Sequence, residues 1–209
     1  MTEFWEASFR DKKEMWGWKP ADSAASTLEL FKKHGLNKIL IPGFGYGRNA
    51  KIFTENGFKV TGIEISETAI DLAKKQFDDS IKIYSGSVYS MPFDQDSYDG
   101  IFCYCLLHLL TAEERVKFIN DCYKQLKPDG YMVFVSISKL DFRYGQGKEI
   151  GKDTFESPHG LNLFFYDLDS IKSEFGNHGF IDAEIVFEPI MDLGDRPSQK
   201  FWYITCKKN

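Results

Sequence analysis

Short apolar runs that alternate with amphipathic segments constrain this chain more than any other feature. The runs "NKILIPG" (37–43), "KVTGIEIS" (59–66), "IKIYSGS" (81–87), "YDGIFCYCLL" (98–107) and "GYMVFVSIS" (130–138) read as strands. Between them "RNAKIFTENGF" (48–58), "ETAIDLAKKQF" (67–77) and "AEERVKFINDCYKQL" (112–126) place apolar residues at helical spacing, and Ser66 is positioned to cap the second of these helices. A helix over 21–34, with Ala24, Ala25, Leu28, Leu30 and Phe31 on its apolar face and Gly35 as its stop, precedes the first strand. Parallel neighbours need a crossover of a dozen or more residues, so this rhythm predicts a parallel sheet covered on both faces. A turn at Lys127-Pro128-Asp129-Gly130 introduces the fifth strand.

The end of the chain breaks the rhythm. A helix in "YDLDSIKSEFGNHGF", ending near Gly179, is followed by two strands, "IDAEIVFEPI" and "KFWYITCKK", joined by a loop too short for a parallel crossover. The expected sheet is therefore mostly parallel and seven-stranded, with one reversed strand near the C-terminus. Residues 139–163 lack periodicity and hold several glycines, so they read as a loop excursion over the active site. With 43% hydrophobic residues in 209, one core suffices, and a single domain over 1–209 is expected, its first 34 residues forming an aromatic helical or lid segment.

Charge narrows the partners. The net charge is −5 with no long basic run, which argues against a nucleic-acid substrate and for a small molecule. The N-terminal "MTEFWEASFRDKKEMWGW" has no apolar signal region and no later stretch is long enough to span a bilayer, so the protein is expected in the cytoplasm, away from membranes. Cys103, Cys105, Cys122 and Cys206 form no CxxC pair and are expected as buried free thiols, with Cys103 and Cys105 on one face of a strand; no metal site is expected. Nothing in the residues decides between monomer and dimer.

The first strand runs into "PGFGYGRNA", where Gly43, Gly45 and Gly47 clear side chains from a loop that must turn sharply and approach a ligand. In an open α/β sheet such a loop lies at the carboxyl ends of the strands, where strand order reverses. Arg48 stands where the dinucleotide fingerprint G-x-G-x-x-G requires glycine. Glu64 follows about 20 residues on, at the end of the second strand, where a carboxylate accepts hydrogen bonds from both ribose hydroxyls of an adenosine.

In order, PGFGYGRNA, GIEIS, SGSVYSMPF, SYDGIFCYCLLHLL and LKPDGYMVFV resemble the motifs of class I S-adenosylmethionine-dependent methyltransferases, which have a Rossmann-like, doubly wound sheet. "GYGRNA" with the N-terminal "FWEASF" and "MWGW" is similar to the small-molecule branch that contains tellurite-resistance and thiopurine or thiol methyltransferases. The resemblance implies S-adenosylmethionine as cofactor, with S-adenosylhomocysteine as product. It places Gly43, Phe44, Gly45, Gly47 and Asn49 along the cofactor's methionine end, Glu64 on the ribose, Ile65 on the adenine, Ser87 and Val88 beside the adenine amino edge, and Tyr104 near the methionine. The chain departs from the family pattern at Ile41-Pro42, where an acid is usual, and at Ser87, where Asp is usual.

Methyl transfer from a sulfonium leaves a neutral thioether, so no oxyanion needs stabilising and most of the catalysis can come from alignment. A general base is required only for an acceptor that arrives protonated, and His108 and His159 are the candidates. Trp16 and Trp18 could cover the pocket and favour a cation or a soft acceptor such as a thiol, or they could dock the N-terminal helix on the sheet. Arg143 and Tyr144 are expected to shape the acceptor pocket, and Arg143 suits an anionic substrate. Tyr104-Cys105-Leu106-Leu107-His108 stands where enzymes methylating nucleic-acid bases usually carry Asp/Asn-Pro-Pro-Tyr. The expected function is methyl transfer to a small molecule. The alternatives are a non-catalytic S-adenosylmethionine-binding module and an NAD-dependent oxidoreductase.

Overall fold

The structure, a computed structural model, describes residues 2–77, 81–189 and 198–209. Its strands are β1 (Lys38–Pro42), β2 (Lys59–Glu64), β3 (Lys82–Ser85), β4 (Tyr98–Tyr104), β5 (Leu126–Ile137), β6 (Lys148–Gly151), β7 (Thr154–Glu156), β8 (Asn162–Phe164), β9 (Phe180–Glu188) and β10 (Gln199–Lys207). The helices are α1 (Thr2–Lys12), α2 (Asp22–Lys33), α3 (Ala50–Thr54), α4 (Glu67–Phe77), α5 (Ala112–Gln125) and α6 (Leu168–Phe175).

Seven strands pair in the order β3-β2-β1-β4-β5-β10-β9. β1 lies parallel to both β2 and β4, β4 to β5, and β2 to β3, while β10 runs antiparallel to both β5 and β9. This is the Rossmann-like, mostly parallel sheet with one reversed strand. Strand order reverses at β1, between β2 and β4, so the loop leaving β1 opens where the crevice must lie.

Alternation of side chains along the strands feeds two apolar layers. On one face Ile39, Ile41, Phe102, Val133 and Val135 pack with Leu28 and Phe31 of α2 and Phe53 of α3. On the other, Leu40, Ile101, Cys103, Met132, Phe134 and Ile204 pack with Phe118, Ile119 and Cys122 of α5 and Ile171 and Phe175 of α6. Capping fixes where these helices begin. Thr111 and Glu114 close a reciprocal box at α5, Asp167 and Ser170 do so at α6, and the Ser66 hydroxyl accepts from Ala69 N at 3.1 Å at α4.

Four expectations need correction. The 139–163 excursion is more than a loop: β6, β7 and β8 form a separate antiparallel meander reaching Phe164. These strands have three or four residues each and are mostly exposed, so no alternating apolar pattern marks them. The helix expected over 48–58 is reduced to the five residues of α3. The turn at 127–130 becomes a bulge inside β5, with Asp129 at φ +62°, so that Leu126 faces Tyr98 and Tyr131 faces Gly100. Cys103 and Cys105 do not share a face, because Cys105 lies past the strand end at φ +55° and packs on the α2 side of the sheet. All four cysteines are free. Ile190, the last residue of the expected "IDAEIVFEPI" strand, lies outside the described residues.

Candidate active site

The glycine loop is held against β2 by its backbone. Gly43 N and Phe44 N both donate to Ile63 O, at 2.9 and 3.0 Å. The Phe44 ring turns away from the crevice into the core, against Phe77, and sits where a Cβ on Gly62 would lie 2.5 Å from it. Phe44 thus offers a ligand only its backbone. Gly47, at φ +89°, would place a Cβ 2.3 Å from the Phe77 ring, so glycine is required there by fold as well as by conformation. A Cβ on Gly43 would meet Leu106 at 3.1 Å, which puts the loop directly beside the segment after β4. Asn49 is engaged elsewhere: its Oδ1 accepts from Ala21 N at 2.9 Å and ties the start of α2 to the loop.

Glu64 ends β2 in a buried position. Its carboxylate accepts from Gly45 N at 2.7 Å, Ile65 N at 2.8 Å and Ser66 N at 2.9 Å. Burial pushes its pKa up, with the Glu6 charge adding, against these three amides. An ionised carboxylate has about four acceptor sites, so capacity remains for a hydroxyl donor beside the three amides. Ile65, half-buried, follows it. Across the crevice Gly86 N donates to Glu64 O, the Ser87 hydroxyl accepts from Tyr89 N at 3.2 Å, and Val88 is buried. A carboxylate beside a glycine loop, with an apolar wall at Ile65 and Val88, fits the chemistry of a nucleoside cofactor.

The N-terminal rings gather on the loop. Tyr46 is fully buried beneath Phe9, Trp16 and Trp18, its hydroxyl donates to Gly17 O at 2.7 Å, and it accepts from Trp16 N. Trp16 stacks on Tyr46 with its other face exposed, and Trp18 meets it edge-on at 5.2 Å. Helix α1 is further pinned to α4 by Glu6, which accepts from the Ser66 hydroxyl at 2.7 Å and from the Thr68 hydroxyl and amide. These rings dock the N-terminal segment on the glycine loop and so roof it at the same time.

Beyond β4 the side chains converge on Phe201 of β10. The Tyr104 ring lies 6.4 Å from it, the His108 ring 6.4 Å and the Arg143 guanidinium 5.6 Å. Arg48 of the glycine loop sits 5.7 Å above Tyr104. Burial pushes the Cys105 thiol up to about 12 and the Tyr104 phenol up as well, so neither is an anion near neutral pH.

His108 does not match the role expected of it. Its Nδ1 accepts from Ile137 N at 3.3 Å, which occupies the lone pair that a base would use. Burial, helped by the Arg143 charge and opposed by Asp141, pulls its pKa down to about 3. His159 is exposed at the tip between β7 and β8. Tyr144 belongs to the meander, its hydroxyl on Asp153 at 2.8 Å and its ring against Phe155 and Phe165. Sequence reasoning passed over Tyr46, Glu6, Phe201 and Arg48. Arg48 was legible only as an absent glycine, and Phe201 lies in a strand with no local mark of a site.

A model of the methyltransferase domain matches residues 40–134, from β1 into β5. Residues 40–134 thus carry a methyltransferase domain. The cofactor that this match supports is S-adenosylmethionine. Among similar proteins, a tRNA N(3)-methylcytidine methyltransferase of Drosophila melanogaster is 20% identical over 74% of this chain and 49% of its own length. Thiocyanate methyltransferase 1 of Brassica oleracea is 24% identical over 73% of this chain and 69% of its own. The chain thus spans about half to two thirds of these relatives. A Burkholderia thailandensis 1,6-didemethyltoxoflavin-N1-methyltransferase, solved with 1,6-didemethyltoxoflavin and S-adenosylhomocysteine bound, superposes with a TM-score of 0.74 at 15% identity over all of this chain and 87% of that one. Among the described residues no helix is long and apolar enough to cross a membrane.

Proposed function

We propose that this methyltransferase transfers the methyl group of S-adenosylmethionine to a small-molecule acceptor. The observation that carries the reading is the Glu64 carboxylate, 2.7 Å from the Gly45 amide, next to a second, aromatic-lined cluster at the end of β4. When bound, the cofactor supplies an electrophilic methyl whose in-line displacement passes the C–S electron pair to sulfur and leaves S-adenosylhomocysteine. In this reading Glu64 holds the ribose, Ile65 and Val88 the adenine, Ser87 its amino edge, and the backbone of Gly43, Phe44, Gly45 and Gly47 the methionine end. Tyr104 borders the transferred methyl. Trp16, Trp18, Phe9 and Tyr46 exclude water from above. The methyl acceptor lies between Tyr104, Phe201 and Arg143, with a proton on it, if any, lost to solvent rather than to His108.

A net charge of −5 favours a small acceptor over tRNA, despite the tRNA-modifying relative. Soft acceptors such as thiols are the first class to screen, in view of the aromatic surroundings and the thiocyanate methyltransferase relative.

Calorimetric titration with S-adenosylhomocysteine and, separately, NAD tests the reading. The expected result is binding of S-adenosylhomocysteine alone, lost in Glu64→Ala and weakened in Glu64→Gln, which retains an acceptor oxygen for the loop. Binding of NAD alone would replace the proposal with an oxidoreductase. Cofactor binding without turnover in an acceptor screen would favour a sensing module.

A further inference from the structure

Arg143 carries a contradiction that a ligand resolves. Its Nε donates to Asp141 Oδ1 at 2.7 Å, and Asp141, whose side chain is wholly buried, is itself held by Lys200 N at 2.7 Å. One edge of the guanidinium is thus fixed to β10. The other edge is not satisfied: Nη2 is buried and has no hydrogen-bond partner. A buried charged donor left unpaired is costly, and such atoms in folded proteins call for an explanation.

The surroundings indicate what would pair it. The guanidinium lies against Phe201, near enough for its positive charge to act on both His108 and Cys105. Arg48, over Tyr104, acts on the same Cys105 thiol from the glycine-loop side. The acids nearby have donors of their own. Asp141 holds Arg143 itself, and the buried Glu188, whose charge also acts on Cys105 and Tyr104, accepts from Asp22 N, Ser23 N and the Ser23 hydroxyl at the start of α2. His108 adds no charge, because it is neutral near pH 7. Two cations therefore lie over the neighbouring Tyr104 and Phe201 rings, and one of them has an N–H edge without a partner.

We infer that the acceptor is itself an anion, a small molecule with a flat apolar body whose carboxylate or comparable oxyanion pairs with Arg143 Nη2 while the body packs on Phe201 and Tyr104. Arg48, over the Tyr104 ring, adds attraction. The assignment rests on the methyltransferase reading and specifies its substrate class. It makes Arg143 a specificity-determining residue. It also gives the site a way to select a substrate without a general base.

The probes are benzoate and benzamide, matched in size and differing in charge, titrated into the protein saturated with S-adenosylhomocysteine at pH 7. Benzoate is expected to bind at least roughly tenfold more tightly, the scale of one hydrogen bond to a charged group. Arg143→Gln is expected to abolish that preference while leaving S-adenosylhomocysteine affinity unchanged, and Arg143→Lys to retain part of it. Equal binding of the two probes to the wild-type protein overturns the inference without any variant being made. So does failure of both to bind, or a benzoate preference that survives Arg143→Gln. Failure of S-adenosylhomocysteine to bind is a separate outcome that removes the methyltransferase reading beneath it.

Discussion

At the scale of residues, a group's surroundings decide its chemistry more than its type does. His108 is the plainest case. The free imidazole titrates near pH 6.5, whereas the buried ring is held neutral down to about pH 3. The unfolded chain therefore binds the extra proton first, and stability falls as pH drops from about 6.5 toward 3, by up to about 1.4 kcal/mol per pH unit from this one group. Chemical denaturation at pH 7 and at pH 5 should show a drop in wild type that shrinks in His108→Asn; an unchanged drop would remove the argument. The glycine loop was legible because its residue types are tied to backbone needs, as with Gly47 against Phe77. Phe44 and Asn49 show the limit of that legibility. Both lie within the loop motif, yet one ring is in the core and the other amide is bonded to Ala21, and neither fact follows from position in the motif.

Among the elements, those with a long apolar stripe could be read directly. α2, α4 and α5 fall within one or two residues of their expected spans, and α6 fills the first part of its own, because each buries one face on a layer of the sheet. The meander could not be read, since Lys148–Gly151 and Thr154–Glu156 present no buried face to alternate. Helix α1 is an intermediate case, recognisable by its aromatics but not by the acid that anchors it. Glu6 bonds the Ser66 and Thr68 side chains, and these bonds hold the Glu6 pKa down. Replacing Glu6 with Ala should loosen α1 from α4 without unfolding the sheet. Stopped-flow release of S-adenosylhomocysteine should then quicken several-fold, and limited proteolysis should cut first within residues 2–20; release at the wild-type rate would mean that the aromatic contacts on Tyr46 suffice to close the roof.

For the whole molecule, the division between a covered sheet and an exposed meander predicts where stability and specificity reside. Ile204 of β10 is fully buried in the α5 and α6 layer, so Ile204→Ala should cost about 2–5 kcal/mol in urea unfolding. Ile150 of β6 is exposed beside the groove formed with Thr111 and Arg115, and Ile150→Ala should change stability by less than about 0.5 kcal/mol. Equal losses at the two positions would show that the meander is integral to the core. The mostly parallel pairing of the sheet was readable from the chain's rhythm, because parallel pairing follows from crossover length, whereas the cluster around Phe201 joins segments nearly a hundred residues apart and has no such local rule.

The placement of β10 has a consequence for assembly. Among the described residues β9 pairs with no strand of the large sheet except β10, and β10 must enter antiparallel between β5 and β9. While β10 is absent, β5 presents an open edge and β9 has no template, although the five parallel strands can already be joined. Phe201 arrives with β10. The cluster of Tyr104, His108 and Arg143 is therefore completed by the same event that closes the sheet, and in the proposed reading a chain stalled before it would hold the cofactor with nothing opposite to receive the methyl group.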